Sequence, residues 1–352
     1  MQSKAISAVI ATVMLLMITV SLVGVFYVFS STMASQTTSS GSEQASQLTA
    51  QLSMCMQVDN IIGNQITLRN CGKGVIENKS LVVMIDDVAL DASTNTIMEG
   101  NSSVVNVSGL WQVPFGKHSL KITNGAAVAL ALVEIIPNPD GLAGSWNFDE
   151  GTGAITYDNS GNGNVGALTN MNTTGNATSG WAEGRFREGL QFDGANDYVN
   201  AGNAASLNIT NAITVSVWVK TNKSNIDIMN KALPAGNQRS WGLQIDSSGL
   251  AKMGFSATGT TWDKYITGTT NISDNIWKNI IAAYDGTVIN LYVNGVVDKT
   301  PVPYSSGLYA SNASLKIGAS YFVAYFNGTI DEVRIWSKAF APDDTVVMKQ
   351  II

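Results

Sequence analysis

From Cys55 onward the chain is a succession of short apolar or alternating runs, each broken by Gly, Asn or Asp. Runs of this length and punctuation are those of strands joined by tight turns. Gln65-Ile66-Thr67-Leu68-Arg69 and His118-Ser119-Leu120-Lys121-Ile122 alternate as half-buried strands should. Leu81 to Ile85 and Ala127 to Ile135 read as more buried strands. Further on, Ile213, Val215, Val217 and Val219 share one face of a strand, and Thr214, Ser216, Trp218 and Lys220 share the other. Asn294-Gly295, next to Ile289, Leu291 and Val293, is a type I′ hairpin signal. No helical stretch interrupts the larger, C-terminal part, so two stacked sheets are expected there.

Composition narrows the function classes. A formal charge of −6, from 26 acidic and 20 basic residues among 352, argues against nucleic acid, which needs clustered Lys and Arg. A single histidine, His118, and two cysteines exclude the common zinc spacings and leave little room for a histidine-based triad. Only 13% of residues are charged, and Asn, Ser, Thr and Gly supply the polar surface instead. That balance suits an extracellular β-protein.

The first forty residues differ from the rest. No charge occurs from Ala5 to Gly41, and Ile6 to Phe29 is almost wholly apolar. As a helix this stretch would extend about 36 Å, enough to cross a hydrocarbon core of about 30 Å. A secretory signal with a cut near Thr32-Met33-Ala34 is one reading, although its apolar part would be unusually long. A permanent single-pass anchor is a second. The third rests on Lys4-Ala5-Ile6-Ser7-Ala8-Val9-Ile10-Ala11-Thr12-Val13 and its continuation through Leu15 to Val20, which resembles the start of archaeal type IV pilins. The resemblance implies a leader of residues 1–5, cut by a prepilin peptidase between Ala5 and Ile6. It further implies a hydrophobic helix and polar stalk over 6–54 that first sits in the membrane and then packs against other pilin-like subunits. Ala8 departs from the proline common in that family. The early glutamate of bacterial pilins is absent, which points to the archaeal branch.

Residues 55–136 are expected to form a small antiparallel β-sandwich. Cys55 and Cys71, the only cysteines, are close enough in sequence to form a disulfide in an exported protein. Pro137-Asn138-Pro139-Asp140-Gly141 ends the last strand and marks a linker, residues 137–141.

The remaining residues, 142–352, carry six blocks in order. They are Gly144 to Gly153, Asp158 to Asn164, Gly189 to Val199, Ile213 to Lys220, the group of Trp277, Ala283-Tyr284-Asp285-Gly286 and Leu291 to Gly295, and Phe326 to Trp336. Together they resemble the laminin-G-like, concanavalin A-like jelly-roll family over about 200 residues. Asn279 departs from the histidine that many relatives carry. The resemblance implies a possible calcium ion, held by Asp158 and Asp331 with help from Asn162 and Asp193. Asp331, alternating with Val333 and Ile335, is expected on their buried face, where a carboxylate needs a cation or several N–H donors. Calcium takes six to eight oxygens, so the alternative is that Asp158 and Asp193 make Asx-turns and Asp331 bonds internally. Glucanases of this fold carry Glu-x-Asp-x-x-Glu on one strand, and no such motif occurs here. No catalytic residues are assigned and the chain is not expected to be an enzyme.

Aromatic rings stack on the apolar faces of sugars, and Trp241, Trp262 and Tyr265 lie in or beside Gly/Thr-rich connections as candidate ligand contacts. Trp146, Trp218, Trp277 and Trp336, in strand-like blocks, are assigned to the core. Glycan acceptor sequons stand at Asn78, Asn101, Asn106, Asn172, Asn176, Asn208, Asn222, Asn271 and Asn312, with Asn327 set aside because it lies inside a family block. The expectation is a mainly β chain with an N-terminal hydrophobic α-helix, a small β-sandwich and a concanavalin A-like jelly-roll β-sandwich. It would be a pilin-like subunit, membrane-inserted as a precursor and then displayed on the cell surface, whose outer domain binds glycans or surface proteins for adhesion. A membrane-anchored lectin that never polymerises and a secreted glycan hydrolase are the alternatives.

Overall fold

The computed structural model describes residues 54–173, 179–319 and 324–351. The expected leader, the Ala5/Ile6 cut, the hydrophobic helix and Asn176 lie outside the described residues. Among those described, every regular element longer than a 3₁₀ turn is a β-strand, and no helix is long and apolar enough to cross a membrane.

The first unit is a closed barrel of eight strands, and in this it differs from the expected sandwich. Around its circumference run Met56–Gly63, Gln65–Asn70, Ser102–Ser108, Val88–Ser93, Val82–Ile85, Gly116–Thr123, Val128–Pro137 and Val346–Ile351, which pairs back to the first. The eighth strand comes from the C-terminus. It pairs along Val128–Pro137, from Val346 opposite Pro137 to Ile351 opposite Leu132, and meets Met56–Gly63 at Ile62 and Gly63. The boundary expected at 142–352 is therefore corrected: the last strand belongs to the barrel, and the second domain is inserted between the barrel's seventh and eighth strands. Closure gives both edges a partner, since an open strand edge leaves a row of backbone groups unpaired. Alternate residues of these strands, among them Ile66, Leu68, Val83, Val105, Leu120, Ile122, Val133, Ile135 and Met348, fill the interior. The Cys55–Cys71 disulfide forms as expected and ties the entry of the first strand to the exit of the second.

The second unit is a jelly roll of two sheets. One sheet runs Lys264–Asn271, Leu250–Phe255, Trp241–Ile245, Ile226–Lys231, Leu315–Ile317, Tyr198–Gly202, Gly166–Thr169 and Ile155–Thr156. The other runs Gly180–Glu183, Glu188–Asp193, Asn327–Trp336, Ile213–Lys220, Lys278–Tyr284, Val288–Val293 and Val296–Pro303, with Leu142–Trp146 beside Asn327–Trp336. The inward faces meet in one core that contains Ile213, Val215, Val217 and Val219, as alternation requires, together with Trp146, Trp241, Phe192 and Phe255. Asn294 and Gly295 both take positive φ, 50° and 75°, in the two-residue turn joining Val288–Val293 to Val296–Pro303.

The second face of Ile213–Lys220 departs from the simple pattern of one face in and one face out. Thr214, Ser216 and Trp218 are buried too, because this sheet's outer face lies against a loop of the barrel. Trp111 of that loop stacks on Trp218, with ring centroids 6.0 Å apart, and Phe115 lies under the Arg334 guanidinium at 3.7 Å. A side chain at Gly295 would run into Trp111, so the close approach of the two domains depends on that glycine.

Candidate functional site

On the outer face of the eight-stranded sheet Lys252, Gln244, Lys316 and Asn200 are partly exposed, while Asn230 and Asp227, bonded to the Ala319 and Ala324 carbonyls, are buried. Residues directly opposed in an antiparallel pair project to the same side. Opposed pairs define one row across the strands: Tyr265, Gly254, Gly242, Asn230, Lys316 and Asn200. At about 4.8 Å per strand, the row spans about 24 Å. A second row beside it contains Thr267, Lys252, Gln244 and Asp227. The neighbours of these residues along each strand, such as Leu243, Ile245, Ala251 and Met253, point into the core.

Two glycines shape the aromatic end. A Cβ on Gly254 would sit 2.6 Å from the Tyr265 ring and 3.3 Å from Trp262, and one on Gly242 would sit 3.2 Å from Trp262. The rings therefore lie down on bare backbone, 6.2 Å apart between centroids, and remain partly exposed. The Lys252 ammonium stands 4.0 Å from the centre of the Tyr265 ring. Burial raises the Tyr265 hydroxyl above its ordinary range, Arg239 acts against that, and Asp227 adds to it.

Further along, Lys316 lies 4.4 Å over the ring of Tyr198. Asn230 is buried, and its Nδ2 donates to the Ala319 carbonyl at 2.5 Å. Its Oδ1 has no hydrogen-bond partner among the described residues. A buried acceptor left unmade costs about 1–3 kcal/mol. Aromatic surface at one end and the partly exposed Lys252, Gln244, Lys316 and Asn200 along the rows make a surface suited to a polyhydroxylated ligand.

Trp241 has no place in this site. It is 1% exposed, on the inward side of its strand, and belongs to the core. The sequence position beside a turn suggested a loop aromatic; the strand starts at Trp241 itself, and the pleat turns it inward. Trp262 and Tyr265 are brought together. Lys252, Asn230, Lys316, Asn200, Gln244 and Asp227 were not picked out from the sequence. Their alternation with core residues is visible, but the strands that carry them become neighbours only in the sheet.

The four residues expected to hold calcium are not gathered. Asp158 is closed by four N–H bonds: Oδ1 accepts from Ser145 and Ser160 backbone N–H, and Oδ2 from the Asn164 backbone and side chain, all at 2.8–2.9 Å. Asn162 turns its Nδ2, not its oxygen, toward the Leu142 and Ala143 carbonyls. Asp193 accepts from the Ala195 N–H in its own turn. No group of three or more acidic, histidine or cysteine side chains suited to a metal occurs among the described residues. The Asx-turn alternative describes Asp158 and Asp193, while Asp331 Oδ1 is buried with no hydrogen-bond partner among the described residues.

Asp331 also departs from its expected face. It stands opposite Trp218 while Ile330 stands opposite Val219 and Ile335 opposite Val215. The extra residue is Glu332, at φ 54°, a β-bulge that shifts the alternation by one. Asp331 thus leaves the core face of Val333 and Ile335 and points toward the barrel side. There its Oδ2 accepts the Arg185 and Phe186 N–H groups at 2.8 and 3.0 Å. Burial pushes its carboxyl up to about 8. Glu332 is paired instead with Arg334.

His118 lies in the barrel wall. Its Nδ1 is 2.7 Å from Asp86 Oδ2 and its Nε2 is 2.8 Å from the Pro114 carbonyl. The bond to His118 lowers the Asp86 carboxyl to about 2. Ser119 Oγ donates to Asp86 Oδ1, so histidine and serine both converge on the carboxylate and no serine–histidine–aspartate relay is set up. Among the sequons, Asn78, Asn101, Asn106, Asn208, Asn222, Asn271 and Asn312 are exposed and Asn172 is half-buried. Asn327 is half-buried and donates its Nδ2 to the Asp193 carbonyl.

A double-sheet jelly roll is an architecture of lectin domains. In agreement, residues 193–344 match the concanavalin A-like lectin/glucanases superfamily. No curated protein matches the chain by sequence. Among solved structures, domain 4 of AbnA, an extracellular arabinanase from Geobacillus stearothermophilus solved with arabinotriose, is similar at 20% identity and a TM-score of 0.44; the match covers 58% of this chain and 96% of that one. The receptor binding domain of botulinum neurotoxin D is similar at 17% identity and a TM-score of 0.44, over 58% of this chain and 51% of that one. The binding domain of botulinum neurotoxin DC, solved with SialylT, is similar at 14% identity and a TM-score of 0.46, over 58% and 50%. The chain thus spans about half the length of these neurotoxin domains.

Proposed function

We propose that this chain is a surface subunit whose jelly roll binds extracellular glycans for adhesion. The observation that carries the reading is the Trp262–Tyr265 pair lying on Gly242 and Gly254 at the end of a partly exposed polar sheet face. The superfamily match and the disulfide, which fits an exported protein, support it. The test is glycan-array binding by wild type and Trp262→Ala. An aromatic contact worth about 1.4 kcal/mol predicts an affinity loss of about tenfold with an unchanged melting temperature. Equal binding by both proteins would remove the site.

The filament part of the proposal rests on Lys4 to Val20 alone. Mature protein beginning at Ile6, together with its presence in sheared surface filaments, is the expected outcome. A mature protein that keeps Met1 and never enters filaments would favour the anchored lectin, which has the same outer site.

A further inference from the structure

We infer that the chain's own segment Glu43–Leu52 docks on the outer wall of the barrel, along Val128, Leu130 and Leu132. The stalk then joins the barrel on its flank, a feature that goes beyond the glycan reading and does not depend on it. Along Val128–Pro137 the residues alternate. Ala129, Val133 and Ile135 fill the interior, while Val128, Leu130 and Leu132 face outward and are 51, 72 and 60% exposed. Their opposed neighbours Thr123, Lys121 and Ser119 are polar and leave the apolar stripe uncovered. The strand also lacks a partner there. Val346–Ile351 pairs with it only from Leu132 to Pro137, so Val128–Ala131 have a paired strand on one side alone among the described residues. Proteins protect such an edge by laying a helix or loop over it.

Where the described chain starts argues for this occupant. Met54, its first residue, packs against the barrel core, and its Sδ accepts from Asn124 Nδ2 at 3.5 Å. Asn124 lies in the turn between the paired Thr123 and Val128, so the chain enters the barrel beside the first residue of the stripe. Leu52 is two residues away and stays within about 7 Å of Met54, a proximity that no separate molecule has. The sequence suits the surface as well. Gly41-Ser42-Glu43 is a helix start signal, and Ala45, Leu48 and Leu52 follow at i, i+3 and i+7, the spacing of one helical face. As a helix Glu43–Leu52 would extend about 15 Å, against about 13 Å from Val128 to Leu132. Leu52 then falls at Val128, Leu48 about 6 Å further at Leu130, and Ala45 at Leu132. Docking shortens the free tether between Phe29 and the barrel from residues 30–53 to residues 30–42, which narrows the orientations open to the jelly roll.

The experiment is photo-cross-linking of the full-length chain in phosphatidylcholine–phosphatidylglycerol vesicles, with Leu130→p-benzoylphenylalanine as the probe and mass spectrometry of the products. The expected adduct joins position 130 to residues 43–53 of the same chain, and mixing isotopically light and heavy protein distinguishes it from a contact between chains. Leu48→Ser/Leu52→Ser lowers the docking equilibrium at least about tenfold, and the adduct falls with it. Both serines lie outside the barrel, so an unchanged far-ultraviolet spectrum is expected beside that loss. The same probe at Val104, exposed on the strand across the barrel from Val128–Pro137, is expected to give no such adduct. Light-to-heavy adducts make the stripe a contact with a second copy, and lipid adducts make it a membrane contact; either overturns the inference. So does an adduct that survives in the double serine variant, one equally strong at Val104, or none at all. Glycan binding is expected to be the same in every variant, so the two readings fail separately.

Discussion

The barrel and the jelly roll draw on the same alternating strands and Gly/Asn turns, yet they hide their backbone edges and faces differently. The barrel closes on itself with a strand from the far end of the chain, so its edges disappear. The jelly roll stacks two sheets and covers the outer face of only one of them, under Trp111 and Phe115 of the barrel. The outer face of the other sheet carries the aromatic and polar rows, in which Trp262, Tyr265, Lys252 and Lys316 keep part of their surface exposed. Closure thus makes the barrel a support, and one-sided cover makes the jelly roll a binding surface. Insertion of the second domain between the barrel's last two strands joins the two roles, because the support is complete only after the inserted domain has been made.

The largest test of this contrast is truncation after Thr345. Loss of Val346–Ile351 removes Val346 and Met348 from the barrel interior, unpairs Val128–Pro137 from Leu132 to Pro137, and frees Met56–Gly63 at Ile62 and Gly63. Hydrogen exchange is expected to show barrel amides exchanging freely while Ile213–Lys220 and Lys278–Tyr284 stay protected. Unfolding of both units together would show that the barrel supports the jelly roll's fold as well as its position. A smaller effect, again confined to the barrel, is expected from reducing the disulfide or from Cys71→Ser. Freeing a loop with a sequence separation of 16 costs about 3 kcal/mol, read as a shift in the barrel's urea midpoint.

The smallest effect belongs to the jelly roll. Lys231 is buried, donates to Asn203 Oδ1 at 2.5 Å and the Ala313 carbonyl at 2.7 Å, and is lowered by burial to about 8 from 10.5. With its folded value below the unfolded one, the unfolded chain binds the proton more readily between those limits. Stability therefore rises as pH climbs from about 8 to about 10.5, by on the order of 2 kcal/mol. Urea midpoints of the jelly roll measured across that window are expected to rise in wild type and stay flat in Lys231→Met. A flat profile in both would mean that the ammonium keeps an ordinary affinity for its proton.

Much was legible from local pattern. The strands, the Asn294–Gly295 turn and the cysteine pair depend on residues near one another in sequence, and the structure has each, although Val128, Leu130 and Leu132 of the run expected to be more buried are exposed. Trp262 and Tyr265 were found because ring chemistry marks them. Trp241 was misplaced because a residue next to a turn can stand on either side of a strand's first pleat. Asp331 was misplaced because the bulge at Glu332 breaks the two-residue period, and nothing in Ile-Asp-Glu-Val announces an extra residue. Lys252 and Lys316 stand sixty-four positions apart, and only the sheet brings them onto one face.

What the sequence by itself determined was the kind of element and its two faces, since period, turn residues and cysteine spacing act over a few residues. Which face would be covered, which strand would close the barrel, and which side chains would share a row were decided by the tertiary structure. Those outcomes depend on hydrogen-bonded pairing between distant segments, and a strand's own residues do not record its neighbour.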